Sequence, residues 1–198
     1  MDQNTAGLYI HIPFCRHKCR YCSFCSTASS EVSNDYIDAL LNEITTVQSL
    51  DLKFDTLYFG GGTPSLLSPQ QFDKIIRAIN KALILADSPE ITVEANPDSA
   101  SYERLKSFRQ SGANRISIGV QSMANETLHF LGRIHTLEQA VLSIKNARCA
   151  GFDNMSLDLI YGIPGFPLNH AQFEHVLDLN PEHLATYVLR NRPGQADR

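Results

Sequence analysis

Four of the five cysteines in this 198-residue chain lie in one short stretch, YIHIPFCRHKCRYCSFCS, from Tyr9 to Ser26. Cys15, Cys19 and Cys22 follow the spacing C-x3-C-x2-C, and Cys25 comes shortly after. Thiolates are metal ligands, and a loop this short can bring several of them to one place. Two chemistries fit. A structural zinc ion takes four ligands, which the four cysteines could supply. An iron–sulfur cubane held by three thiolates leaves one iron open to a further molecule. Spacing alone leaves both readings open. Arg16, Lys18 and Arg20 are interleaved with the thiols, and basic surroundings favour the thiolate. His11 and His17 flank the cysteines and are further candidate ligands. Strand alternation places His11 opposite Ile10 and Ile12, which reads as a core-facing hydrogen bond rather than a metal bond.

More polar groups recur where apolar runs end. Gly60-Gly61-Gly62-Thr63-Pro64-Ser65 follows the run Thr56–Gly60. One or two glycines suffice for a tight turn, so three favour close backbone approach to a ligand, with peptide N–H groups free to cradle an anion. Glu94 sits in VEANP, Gln121 in GVQS and Asp158 in SLDLIYGIPG. Each alone reads equally well as a satisfied core polar residue. Together, at corresponding places, they read as one mouth. Arg133, in LGRIHT, adds a cation, and His135 beside it reads as structural or solvent-facing. Tyr9 shares the face of His11, and Tyr21 adjoins Cys22. Cys149, alone at the end of a predicted helix, reads as a small buried hydrophobe.

The elements that must position these groups alternate. Strands are predicted at Leu8–Pro13, Thr56–Gly60, Ile91–Ala95, Arg115–Val120, Ser156–Tyr161 and Ala185–Leu189, each short and apolar. Between them run helical stripes: Ile37, Leu40, Leu41, Ile44 and Val47; then Phe72, Ile75, Ile76, Ile79 and Leu83. Ser68-Pro69-Gln70-Gln71 and Thr136 with Gln139 are capping boxes. The second opens a helix that carries Leu137, Val141 and Ile144 inward and ends at Gly151. Further helices are predicted from Tyr102 to Gly112 and from Asn169 to Leu179. Six strand–helix units imply a parallel sheet with helices outside. A closed eight-unit barrel needs about 250 residues, so six units predict an open partial barrel or a doubly wound sheet. In such folds reactive groups gather at the carboxyl ends of the strands.

Hydrophobic content of 43% and charged content of 19% are those of a globular protein, and a net charge of -4 gives no sign of nucleic-acid binding. No run approaches the roughly 18 apolar residues of a membrane span, and MDQNTAG is not a signal peptide. A cytoplasmic location is expected, where clustered cysteines bind metal more often than they pair. Residues 1–189 read as one core domain. Residues 190–198 read as a polar tail, with the chain a truncated part of a longer protein.

These motifs together resemble the radical S-adenosylmethionine (SAM) superfamily. YIHIPFC, FGGGTPS, GVQS, LGR-H and LDLIYGIPG, in order from about residue 7 to 189, resemble the oxygen-independent coproporphyrinogen III oxidase family and its heme-chaperone branch. The resemblance implies a (β/α)6 TIM-like core and a 4Fe–4S cluster held by Cys15, Cys19 and Cys22. It implies one SAM molecule near Tyr9, Gly61 and Glu94. Gly62, Thr63, Gln121, Arg133 and Asp158 match positions that contact a second SAM molecule in the oxidase, and Tyr21 falls beside that site. The oxidase has a further cysteine two residues after the triplet. Phe24 stands there, with Cys25 shifted by one, which favours the chaperone branch and sets Cys25 aside as a ligand. The implied partners are heme or porphyrin, mainly through a region beyond this chain, a heme-accepting protein, and an electron donor if radical chemistry occurs. The alternative is the oxidase itself, in which SAM cleavage yields a deoxyadenosyl radical that starts decarboxylation of a propionate. A zinc-stabilised binding module would need neither the glycine turn nor the strand-end carboxylates.

Overall fold

The computed structural model describes residues 5–47, 52–167 and 170–189. In chain order the strands are β1 (Thr5–Ile12), β2 (Phe14–Cys15), β3 (Thr27–Ala28), β4 (Lys53–Gly61), β5 (Ile84–Ala95), β6 (Arg115–Gln121), β7 (Met155–Tyr161) and β8 (His183–Val188). The helices are α1 (Asn34–Thr46), α2 (Pro69–Ala82), α3 (Tyr102–Gln110), α4 (Asn125–Phe130), α5 (Leu137–Cys149) and α6 (His170–Asp178). Six strands form one parallel sheet in the order β1-β4-β5-β6-β7-β8. Each new strand joins the same growing edge. With right-handed crossovers this puts every connecting helix on one face, the geometry of an open (β/α) half-barrel. The predicted partial barrel is therefore what forms.

Strand alternation divides the sheet chemically. In β6, Ile116, Ile118 and Val120 are fully buried toward the helices, while Ser117, Gly119 and Gln121 point to the concave side. In β5, Val93 and Ala95 face the helices, and Glu94 and then Asn96 face the other way. Leu157 and Leu159 alternate with Asp158 in β7 in the same manner. The helix side is closed by the predicted stripe of α2, with Phe72 between Phe59 of β4 (4.9 Å between ring centres) and Phe108 of α3 (4.4 Å). All three rings are fully buried, and that burial stabilises the layer. Both predicted capping boxes form: the Ser68 and Thr136 hydroxyls accept from the N–H groups of Gln71 and Gln139, whose side chains bond back.

Several predictions are corrected. Cys149 is exposed, not buried. The inward stripe of α5 is centred on Ala140, Ser143, Ile144 and Ala147, so Cys149 falls on the outer face with Leu142 and Lys145. β5 starts at Ile84 rather than Ile91: Ile84 and Leu85 pair with β4, then the ladder breaks and resumes at Glu90, just past Pro89, which cannot donate. The six-residue α4 has no capping side chain and left no signal. Asn169 and the tail 190–198 lie outside the described residues. Among the described residues no helix is long and apolar enough to cross a membrane.

Candidate cofactor site

The cysteine loop is closed at its base. β2 and β3 pair in parallel, Phe14 with Thr27 and Cys15 with Ala28. His11 secures the far side: its Nε2–H donates to the Cys25 carbonyl at 2.9 Å, and its Nδ1 accepts from the Tyr9 hydroxyl at 3.0 Å. His11 thus makes the expected hydrogen bond, but to this loop rather than to the core. The Tyr36 hydroxyl donates to the His11 carbonyl, tying α1 to the same point.

Above the carboxyl ends of the strands lies a cavity of about 340 Å³. The loop contributes Cys15, Cys19, Tyr21 and Cys22; the end of β4 contributes Gly61, and the turn after it Gly62 and Thr63. The ends of β5, β6 and β7 supply Glu94, Gln121 and Asp158, and Arg133 comes from the turn between α4 and α5. The strand-end groups read from the sequence therefore share one mouth. Tyr9 stands apart. It is exposed, stacks on Tyr58 at 6.1 Å, and does not line the cavity. Cys25 is also exposed and off the cavity, whereas Phe24 lies at the rim, 66% exposed.

The glycines serve the protein first. A Cβ on Gly62 would meet Phe14 O at 2.5 Å and the Phe14 carbonyl carbon at 2.8 Å, so only glycine lets β2 pass over the turn. Gly61 has φ +118° and leaves no room beside the His11 ring. Gln121 is a different case: a non-glycine at φ 68°, where the β6–β7 register breaks. Such strain concentrates at ligand sites.

The charged groups are individually held. Glu94 accepts from the Tyr58 hydroxyl (2.8 Å) and from Gly61 N–H (3.1 Å). Burial still pushes its carboxyl above the usual range, against the pull of those two donors. Asp158 is raised to about 6, chiefly by burial, with Ser117 O–H donating to it at 2.9 Å. Arg133 donates to Asn96 Oδ1 (2.8 Å) and to the Gly119 carbonyl (2.9 Å). His135 is buried and structural, its pKa lowered to about 4 by burial and the adjacent Arg133.

The predicted basic influence on the thiols is redistributed. Arg16 turns to Asp98; Lys18 bonds the Phe24 carbonyl and still pulls the Cys22 thiol down, but burial outweighs it and pushes that thiol up. Arg133 donates to a sulfur instead, its Nη1 3.6 Å from Cys19 Sγ. Tyr58, Asn96 and Ser117 were missed in the sequence. Asn96 and Ser117 could have been found by counting two residues from Glu94 in β5 and four from Gln121 in β6.

The sequence matches the Radical SAM superfamily over residues 9–179, and the chain belongs to that superfamily. Within it, the chain is 41% identical over 193 residues to the heme chaperone HemW of Bacillus subtilis (strain 168), covering 93% of this chain and 50% of that protein. It is 41% identical over 196 residues to the heme chaperone HemW of Escherichia coli (strain K12), covering 95% and 51%. The solved structure of coproporphyrinogen III oxidase (HemN) from Escherichia coli, a radical SAM enzyme, has a TM-score of 0.86 at 29% identity, covering 96% of this chain and 45% of that one. The chain spans about half the length of the curated relatives it matches. The superfamily implies a 4Fe–4S cluster and SAM. The donor set fits: three cysteines of one loop line the cavity opposite a glycine turn and a held carboxylate. Among the described residues no three His, Cys, Asp or Glu side chains group around a single metal ion. A cubane differs in taking its thiolates at separate irons.

Proposed function

We propose that this chain is the cofactor-binding half of a heme chaperone, which binds heme and passes it to acceptor proteins. Cys15, Cys19 and Cys22 would hold a 4Fe–4S cluster. Glu94 and Gly61 would serve one SAM molecule, with Glu94 offering a carboxylate to its ammonium; Tyr9, off the cavity, would act only through its hydrogen bond to His11. Gly62, Thr63, Gln121, Arg133, Asp158 and Tyr21 would serve a second position in the same cavity. A reduced cluster of this kind supplies the electron for reductive cleavage of SAM. The protein's part is to orient the ligand, exclude water and hold its charges still. The observation that carries the chaperone reading over the oxidase is Phe24: an exposed aromatic at the rim, in the position where the oxidase pattern has a cysteine.

The test is a porphyrin assay on the full-length protein under anaerobic reducing conditions with SAM. Tight heme binding, seen as a shifted Soret band, without consumption of coproporphyrinogen III is expected. Formation of protoporphyrinogen IX would overturn the chaperone reading.

A further inference from the structure

Arg133 is held from four directions. Its Nη2 donates to Asn96 Oδ1 at 2.8 Å and to the Gly119 carbonyl at 2.9 Å. Its Nε–H points at His135 Nδ1, 3.3 Å away, and its Nη1 at Cys19 Sγ, 3.6 Å away. His135 is 3% exposed, and its Nε2 lies 3.2 Å from the Val120 carbonyl. A carbonyl can only accept, so Nε2 carries the hydrogen and Nδ1 is left as a lone pair for Arg133. The imidazole is therefore neutral. Among the described residues no Asp or Glu makes an ion pair with Arg133. Carbonyl, amide and imidazole partners fix the guanidinium without cancelling its charge. The Arg133 charge is felt by Tyr21, Asp98 and Asp158 as well, and Cys19 Sγ is the cysteine sulfur to which the guanidinium donates directly.

We propose that Arg133 acts on the cluster itself: its Nη1–H donates to the Cys19 thiolate and sets the cluster's reduction potential, with His135 as the positioning residue that aims it. This rests on the assignment of Cys19 as a cluster ligand. A fixed positive charge and an N–H···S bond stabilise the more negative, reduced state, so the potential is raised. His135 works like the outer partner of a metal ligand, through orientation rather than contact.

The experiment reconstitutes the 198-residue chain anaerobically with iron and sulfide and follows the potential by an EPR-monitored redox titration. Arg133→Gln should move the midpoint to more negative values. His135→Phe, which keeps the ring volume but removes the acceptor, should move it the same way by less. His135→Asn, which keeps an oxygen near the place of Nδ1, should restore most of the parent value. If Arg133→Gln holds no cluster, His135→Phe decides, because it retains the guanidinium. A cluster that forms with unchanged potential in these variants overturns this inference and leaves the cluster reading intact. A parent chain that takes up no iron–sulfur cluster overturns both.

Discussion

Tyr58 on β4 and Glu94 on β5 are joined across the sheet by a hydrogen bond of 2.8 Å, from the tyrosine hydroxyl to Oε1. Oε2 takes the Gly61 N–H, so both oxygens of the carboxylate are anchored while one side remains open to the cavity. A buried carboxylate is costly unless donors hold it, and a single lost donor leaves most of that cost uncompensated.

Tyr58→Phe therefore loosens Glu94 and raises its already elevated pKa further, because the lost donor was one of the groups lowering it. A hydrogen bond to a charged group contributes about 1.5–3 kcal/mol, so SAM affinity is expected to fall roughly tenfold or more. Calorimetric titration of the reconstituted protein checks this. An unchanged affinity would show that Glu94 does not meet the ligand.

Asp158 carries the pH prediction. Its folded pKa of about 6 lies above the ordinary 3.8, mainly through burial. Ionising it therefore costs stability. The cost is absent when the group is protonated in both states, grows as pH rises from about 4 to 6, and is complete above 6. Asp158→Asn still offers an oxygen to Ser117. It should stabilise the cofactor-free chain by on the order of 2–3 kcal/mol at pH 7.5 and by little near pH 4. Urea denaturation at the two pH values would refute the idea if the gain were the same at both.

Gly62→Ala drives a methyl group into the backbone of Phe14, at 2.5 Å from its carbonyl oxygen. Neither the β4 turn nor β2 can move without disturbing the cysteine loop. A loss of about 1–3 kcal/mol is expected, with reduced cluster uptake. Thermal unfolding equal to that of the parent would contradict the close approach.

Cluster content separates the four loop cysteines. Replacing Cys15, Cys19 or Cys22 with alanine should abolish iron and sulfide retention, since all three line the cavity. Cys25→Ser should leave it unchanged, because that side chain is exposed and only its carbonyl is held, by His11. Equal loss in all four would restore Cys25 as a ligand.

Much of the scaffold was legible because it is local. Capping boxes at Ser68 and Thr136, the apolar stripe of α2 and the run of apolar strands depend on spacings of a few residues; all are present, although β4, β5 and β8 begin earlier than the apolar runs show, at Lys53, Ile84 and His183. The chemical triplet Cys15, Cys19 and Cys22 was legible for the same reason. The burial expected of Cys149 rests on the general habit of free cysteine, and it fails because the inner face of the helix is set by Ala140, Ser143, Ile144 and Ala147. The short α4 was missed because nothing local specifies it.

The sequence by itself determined which groups end each strand and that helices and strands alternate. Only the tertiary structure decided what those groups do to one another. Parallel strands added in chain order carry Glu94, Gln121 and Asp158 to one mouth. Arg133, 114 residues from Cys19, is brought within 3.6 Å of its sulfur. The glycines at the end of β4 and just past it show the same division. Their number reads as room for a ligand, and Gly61 and Gly62 do line the cavity, but the side a Cβ would take is filled by His11 and Phe14, a requirement that only the folded chain reveals.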